Sequence, residues 1–438
     1  MEKVDQLLQQ LYRRRNRGVK LGLERIQQLL EQLGNPQHRF PVVHIAGTNG
    51  KGTVASLIAA IYAAAGYRTG LFTSPHLQHF FERIRINGAT IPEDAFAAMI
   101  TALLPLADRY EATFFEITTA LAFQYFAEQQ VDVAVMETGM GGRLDATNVV
   151  LPELTIITAI DLDHTRELGT TREAIAREKA GILKPGIPAL VLDRDLFPVF
   201  QAIAQERGVP VFLLSDTVHY RVVERAANGQ SFHYRSPQQS ETFWLPLIGE
   251  HQLHNAALAI RAVEMLQPHF PVFTSAIQKG LAEVHTLAGY QARLEVLRTQ
   301  PPFILDTAHN LQGIRAGVRA VQHHFPSVDR WLIAFGALRT KDWEAMLEQL
   351  MSIARQFLLT PIDEPRALSP HQLAQEIRGV PAMVFPSAAE LIEVLGEQPL
   401  PVLVTGSFYF AGTLLQAGLR AAIKPIVDRS VRRCDIAQ

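Results

Sequence analysis

The sequence predicts an α/β protein in which a P-loop-containing parallel-sheet domain is followed by a smaller Rossmann-like α/β domain. Three observations carry this expectation. The stretch HIAGTNGKGT, His44 to Thr53, is a glycine-rich turn between a strand-like run, Val42 to Ile45, and a helix-like run through Val54, Leu57, Ile58 and Ile61. Strand-like runs VDVAVMETG (131–139), LTIITAID (154–161) and PALVLD (188–193) then alternate with helical stretches such as LERIQQLLEQL and EAIAREKAG, the rhythm of parallel α/β architecture. A second α/β series begins near residue 300 with FILDT, LIAFG, FLLTP, AMVFP and PVLVTGS, each followed by a helical segment and none by a second P-loop.

A chain of 438 residues exceeds what one hydrophobic core usually supports, so two domains are expected. We place them at 1–290 and 291–438, joined through residues 286–300, where Gly289 and Pro301-Pro302 punctuate the sequence. Residues 219–235 interrupt the first series, and Asn228-Gly229 between two alternating segments reads as a hairpin turn. LIGEHQLHNAALAIRAVEML then reads as a helix. There is no short-period repeat and no low-complexity tract.

Bulk composition narrows the partners. Net charge is −2 and charged residues make up 19%, which gives no basic field for a nucleic-acid backbone. No run of 18 apolar residues predicts a membrane span, and the N-terminal MEKVDQLLQQLYRRRNRG lacks an apolar signal core. The expected location is the cytoplasm. The single cysteine, Cys434, cannot form an internal disulfide, and the basic cluster Arg13, Arg14, Arg15 and Arg17 reads as a solvated helix end.

A glycine-rich loop that opens a helix can aim backbone N–H groups at phosphate oxygens, and Asn49, Gly50 and Gly52 are expected among the residues that bind the nucleotide. It can also set Lys51 beside the β/γ-phosphates and offer the Thr53 hydroxyl to Mg²⁺. ATP is the expected cofactor. The general pattern G-x-x-x-x-G-K-[ST] makes Lys and the hydroxyl residue neighbours, whereas Gly52 separates them here. Mg²⁺ takes hard oxygen ligands near phosphates, and Glu137, at the end of a buried-looking strand, can face the loop.

The form G-T-N-G-K-G-[ST] resembles amide-forming ATP ligases that include folylpolyglutamate synthase, dihydrofolate synthase and, more distantly, the Mur ligases. Further motifs follow in order: LGLERI (21–26), SPHL (74–77), ERIRING (82–88), TFFE (113–116), ETGMGGRLDATN (137–148) and DLDHTRELGTT (161–171). REKAGILKPG (177–186), GEHQLHNAALA (249–259), ARLE (292–295), DTAHN (306–310) and TGSFYFAG (405–412) complete the set. Together they span roughly residues 20 to 415 and resemble the bacterial dihydrofolate synthase/folylpolyglutamate synthases.

The resemblance implies His164 as a third metal ligand beside Thr53 and Glu137. It also implies carbamylation of Lys179, which would turn a cation that repels Mg²⁺ into a carboxylate-like ligand; from the residues alone, Lys179 also fits a surface lysine paired with Glu178 or Glu173. A pterin end is expected against Thr113, Phe114, Phe115, Glu116, Leu144, Asp145 and Ala146, with Ser74 nearby, while core packing is an equal expectation for one of the two phenylalanines. Gly139, Gly141 and Gly142 would let backbone approach ligand, and Arg143 would contact an anion.

By resemblance, Asn255, Arg293 and Asp306 contact ATP, which would bridge the two domains, and His309 places the amine or the γ-phosphate. Ala292, Thr307 and Leu311 depart from the glycine, glycine and proline usual in the family, and the lost proline is expected to loosen its loop. The implied reaction is ATP-dependent activation of a pteroyl carboxylate, of dihydropteroate or a reduced folate, to an acyl phosphate that L-glutamate attacks. Lys51, Lys179 and His309 would be the catalytic residues of a monomeric enzyme. A Mur-type ligase of another specificity, a P-loop kinase or GTPase, and a noncatalytic nucleotide-binding module are the competing readings.

Overall fold

Strands buried along their whole length need cover on both faces, and Val42–Ala46, Val133–Glu137, Leu154–Ile157 and Val402–Thr405 are such strands. The structure, a computed structural model, describes residues 2–14 and 22–423; Arg15, Arg17, Leu21 of LGLERI and Cys434 lie outside the described residues. The chain divides after Gln291 into two compact units.

The first unit is built on eight strands: β1 (Val42–Ala46), β2 (Thr69–Phe72), β3 (Ile84–Ile86), β4 (Ala89–Thr90), β5 (Val133–Glu137), β6 (Leu154–Ile157), β7 (Ala189–Val191) and β8 (Val211–Leu213). Their order is β4-β3-β2-β5-β1-β6-β7-β8. Pairing is parallel from β2 to β8, and β3 and β4 add an antiparallel edge. Alternation along β1 divides its side chains between two cores. Val43 and Ile45 pack with helices Lys51–Ala64, Glu250–Met265 and Thr274–Ala282, whereas Val42 packs with helices Glu93–Arg109 and Phe114–Glu128. The carboxyl end of β1 thus opens between those of β5 and β6, where α/β sheets carry their sites.

A separate antiparallel sheet, β9 (His219–Ala226), β10 (Gly229–Arg235) and β11 (Ser240–Leu245), buries Phe232, Tyr234, Phe243 and Leu245 in the first of those cores. The β9–β10 turn is Ala227-Asn228, one residue earlier than expected. Gly229 is already paired with Ala226, and a Cβ there would lie 2.5 Å from Leu245 O, so this glycine serves a close strand approach and not the turn. Below the sheet, Glu264 accepts hydrogen bonds from Tyr234, Ser236, Gln239 and Arg261, which satisfies a carboxylate that would otherwise be buried at high cost.

Among the described residues the second unit has six strands, β12 (Glu295–Thr299), β13 (Pro302–Leu305), β14 (Trp331–Phe335), β15 (Ala354–Leu359), β16 (Ala382–Val384) and β17 (Val402–Thr405). They run in the order β12-β13-β17-β14-β15-β16 and are parallel except for β12. The stretch 286–300 is therefore not a plain connection: it contains all of β12, an antiparallel edge strand too short and too mixed in composition to stand out from the proline pair after it. Trp331 is fully buried and meets Phe325 edge-on at 5.7 Å. Trp343 begins helix Trp343–Met351, and Trp244 lies half-buried on β11.

Arg14 corrects the picture of a solvated basic end, because it is buried and bonds Asp108 at 2.7 Å. No described helix is long and apolar enough to cross a membrane.

Candidate active site

Between β1 and helix Lys51–Ala64 the loop 47–50 turns sharply, and Gly50 sits at φ +92°, in the left-handed region open to glycine. A Cβ at Gly50 would lie 2.4 Å from Asn255 Oδ1, so helix Glu250–Met265 presses Asn255 against the loop. On its other side the loop is tied to the segment after β6: Thr48 N and Asn49 N donate to Ala159 O, and the Thr158 hydroxyl donates to Asn49 O at 2.8 Å. The first N–H groups of a helix have no partner within the helix, the arrangement that receives phosphate.

Two lysines converge on this loop. Lys51 Nζ donates to Gly47 O at 3.1 Å and Thr48 O at 3.3 Å, and lies 3.9 Å from Glu137 Oε1. Lys179 Nζ donates to the same Gly47 O at 2.6 Å. Burial, then the neighbouring Lys51 charge, pushes the Lys179 ammonium down to about 7. The surface reading of Lys179 is thereby excluded: it is 4% exposed, and Glu178 pairs instead with Arg143 at 3.0 Å. Arg143, half-exposed, is engaged with Glu178 in this structure. Glu137, the last residue of β5, accepts Ser74 N–H at 2.9 Å and stands 3.4 Å from where a Cβ on Gly52 would be. The intervening glycine of the motif thus lets this carboxylate approach the helix start.

His164 follows Asp163, whose charge acts on Lys179. It adopts φ +50°, its side chain is 46% exposed, and Nε2 lies 3.9 Å from Asp163 Oδ1. Its loop is pinned by Asp193, which accepts Ile160 N–H at 2.7 Å and faces Arg172 at 3.7 Å, with Asp195 and Asp161 adding like charge. Burial is the main cause that raises the Asp193 carboxyl from 3.8 to about 6. Over that window the folded state holds the proton more tightly than the unfolded chain, so stability falls as pH rises from about 4 to 6. Asp193→Asn is expected to flatten that slope and to raise stability at pH 7 by about 3 kcal/mol at most, read from thermal melts across pH.

The expected pterin residues have structural duties. Thr113 and Glu116 form a reciprocal capping box at the start of helix Phe114–Glu128, and Arg25 pairs with Glu116 at 3.1 Å. Phe114 is core-like, stacked on Tyr12 at 5.9 Å with Arg83 over its face, whereas Phe115 is half-buried. Phe115 and the Lys179 backbone fill the space that Cβ atoms on Gly139 and Gly142 would take, so packing accounts for these two glycines. Asp145 accepts from Met140 N, Thr147 N and the Thr147 hydroxyl, and burial raises its carboxyl. Leu144 beside it is half-buried and Ala146 buried. The Thr147 hydroxyl also bonds His44 Nε2 at 2.8 Å, a fully buried histidine that burial pushes down to about 3 and so holds neutral.

In the second unit, Arg293 lies between two left-handed residues, Ala292 and Leu294, with φ +53° and +50°. It stacks on Phe408 at 4.1 Å and donates to the Thr307 hydroxyl, which itself donates to Ala292 O at 2.9 Å. The hydroxyl that departs from glycine thus links both segments. Asp306 is buried, accepts Leu294 N, Ala308 N and the Thr405 hydroxyl, and has its carboxyl raised by that burial. His309 packs on the same Phe408 at 5.5 Å. Leu311 opens helix Leu311–His324, which Asn310 caps by accepting Gly313 N–H at 2.8 Å, so the missing proline falls at the first position of a capped helix.

Sequence reasoning passed over Phe408 and Tyr290. The Tyr290 hydroxyl lies 2.8 Å from Thr53 Oγ1, a pairing 237 residues apart that no local pattern announces.

The chain matches the Mur ligase middle domain over residues 45–263 and the Mur ligase, glutamate ligase domain over residues 292–408. A Bacillus subtilis dihydrofolate synthase/folylpolyglutamate synthase is 37% identical over 408 residues, covering 90% of this chain and 94% of that protein. The chain belongs to the dihydrofolate synthase/folylpolyglutamate synthase family. An Escherichia coli dihydrofolate synthase/folylpolyglutamate synthase is 31% identical, with 91% of each chain covered. The Mycobacterium tuberculosis folylpolyglutamate synthase solved with ADP and AMPPCP superposes with a TM-score of 0.84 at 31% identity, covering 95% of this chain and 99% of that one. The Escherichia coli FolC structure in complex with DHPP and ADP gives 0.83 at 30% identity, over 94% and 97%.

Members of the dihydrofolate synthase/folylpolyglutamate synthase family use ATP and Mg²⁺, and the donor set here fits that ion: one carboxylate, Glu137, faces the helix start that carries the Thr53 hydroxyl. Among the described residues no three His, Cys, Asp or Glu side chains gather to hold a metal. Beside protein ligands, phosphate oxygens and water commonly complete a Mg²⁺ shell.

Proposed function

We propose that this protein is an ATP-dependent carboxylate–amine ligase that adds L-glutamate to the carboxylate of dihydropteroate, of reduced folates, or of both. The carrying observation is the convergence of Lys51 and Lys179 on Gly47 O beside Glu137, at the mouth of a glycine-rich loop. Relatives solved with ADP, and in one case with DHPP, support the same reading.

In this reading the loop N–H groups and Lys51 hold the phosphates and neutralise charge that develops during transfer. Bound Mg²⁺ supplies further charge neutralisation, with Thr53, Glu137 and His164 as its protein ligands. A Lys179 amine that is substantially unprotonated near neutral pH can add to CO₂, forming an N–C bond and losing a proton to solvent; the resulting carbamate would be an anionic ligand. Asn255, Arg293 and Asp306 are assigned to ATP, His309 to the amine or γ-phosphate. Ser74, Thr113, Phe114, Phe115, Glu116, Leu144, Asp145 and Ala146 remain assigned to the pteroyl substrate, with the capping-box groups acting through the helix start they fix. Catalysis then rests on charge and proximity, with no nucleophilic side chain. We further propose domains at 1–290 and 291–438, a monomer, and a cytoplasmic location.

ADP release measured with dihydropteroate or tetrahydrofolate, each with and without L-glutamate, tests the proposal. Turnover should require both an acid and glutamate. Phosphate release from ATP alone, unchanged by either cosubstrate, would overturn it.

A further inference from the structure

Thr53 is 4% exposed, and a threonine at such a helical position commonly bonds the carbonyl four residues back. That carbonyl, Asn49 O, already receives the Thr158 hydroxyl at 2.8 Å. The Thr53 hydroxyl pairs instead with Tyr290, at 2.8 Å. Tyr290 is itself fixed on every side. It is 6% exposed and belongs to the core shared with Ile61, Leu281, Val284 and Ala288. Its carbonyl accepts His285 Nδ1–H at 2.8 Å, and the His285 ring lies 5.9 Å from its own. A phenol placed this rigidly can set the torsion of a small hydroxyl, since a hydroxyl proton turns toward its acceptor and its lone pairs then point elsewhere.

We propose that Tyr290 is a positioning residue of the nucleotide site: by accepting the Thr53 proton, it directs a Thr53 lone pair toward the cation carried by the nucleotide phosphates. The inference rests on the reading of Thr53 as a ligand to that cation. Groups that orient a metal ligand through its second hydrogen bond act on metal affinity, with typical losses of 10- to 100-fold on removal. Tyr290 touches no substrate atom in this role, so its effect has to follow Mg²⁺ and not the nucleotide itself.

The experiment is calorimetric titration of the full-length protein with ADP, in Mg²⁺ and in EDTA, for wild type, Tyr290→Phe, Thr53→Val and the double variant, with Thr53→Ser as the variant that keeps the hydroxyl. Tyr290→Phe is expected to lose about tenfold of the affinity gained through Mg²⁺, with its EDTA affinity and melting temperature unmoved. Thr53→Val should abolish the gain and make Tyr290→Phe silent, whereas Thr53→Ser should keep the dependence on Tyr290. A Tyr290→Phe protein that keeps the full gain, or that weakens equally in Mg²⁺ and EDTA, overturns this inference alone. A wild type whose ADP affinity ignores Mg²⁺ overturns the nucleotide-site reading and this inference with it.

Discussion

Lys51→Ala is expected to lower ligase turnover on the order of 100-fold or more while leaving the melting temperature nearly unchanged. The two halves of that expectation have one origin. Among the described residues Lys51 Nζ bonds carbonyls of its own loop, Gly47 O and Thr48 O, and reaches Glu137 at 3.9 Å. Its removal leaves the loop still tied through Thr48, Asn49 and Thr158 to the segment after β6. What disappears is a charge preorganised where phosphate negative charge increases during transfer. ADP release under saturating substrates, alongside a thermal melt, checks both halves. Full activity in the purified variant would mean that the loop is only a turn.

Lys179→Met should separate stability from activity in the opposite sense. A lysine buried at 4% exposure and pushed down to about 7 costs the folded state free energy at every pH below the unfolded value of 10.5, first as a proton given up and below about 7 as a buried charge. Between pH 10.5 and 7 the unfolded chain binds more protons than the folded one, so wild-type stability declines as pH falls through that window and levels off below about 7. An apolar side chain of similar length escapes this. In CO₂-free, nucleotide-free buffer the variant should gain on the order of 3–5 kcal/mol at pH 6.5, at about 1.4 kcal/mol per pKa unit, and nothing near pH 11. Turnover should nevertheless collapse, and wild-type turnover should fall on CO₂ depletion and return with bicarbonate. Equal stability of the two proteins at both pH values would contradict the burial argument. Turnover indifferent to CO₂ would contradict the carbamate.

Much of this was legible because it is local. A strand, a glycine-rich turn and a helix in succession are readable from the sequence, and so is the approach of Glu137, at the end of a buried-looking strand, to the loop that carries Lys51. TFFE was also legible, but in another sense: Thr113-x-x-Glu116 before an apolar run is the signature of a helix start, and the structure puts both side chains there. Tertiary facts were not legible. Nothing around Tyr290 points to Thr53, nothing in Glu295–Thr299 marks an edge strand, and the burial of Asp306 depends on acceptor duties toward Leu294, Ala308 and Thr405 that only the folded sheet creates. The Ala292 and Thr307 departures read as isolated changes in the sequence, whereas one hydroxyl joins them in space.

The distribution of the three tryptophans gives the molecule built-in optical labels. Trp331, sealed in the core of the second unit, should emit at short wavelength and shift strongly to the red when that unit opens, with Trp343 in the same unit reinforcing the signal. The first unit has only half-buried Trp244 on its small antiparallel sheet. Intrinsic fluorescence during denaturation therefore follows mainly the second unit, whereas circular dichroism averages over both. A red shift that precedes or lags the loss of ellipticity would reveal that the two units melt in separate steps, with no label attached.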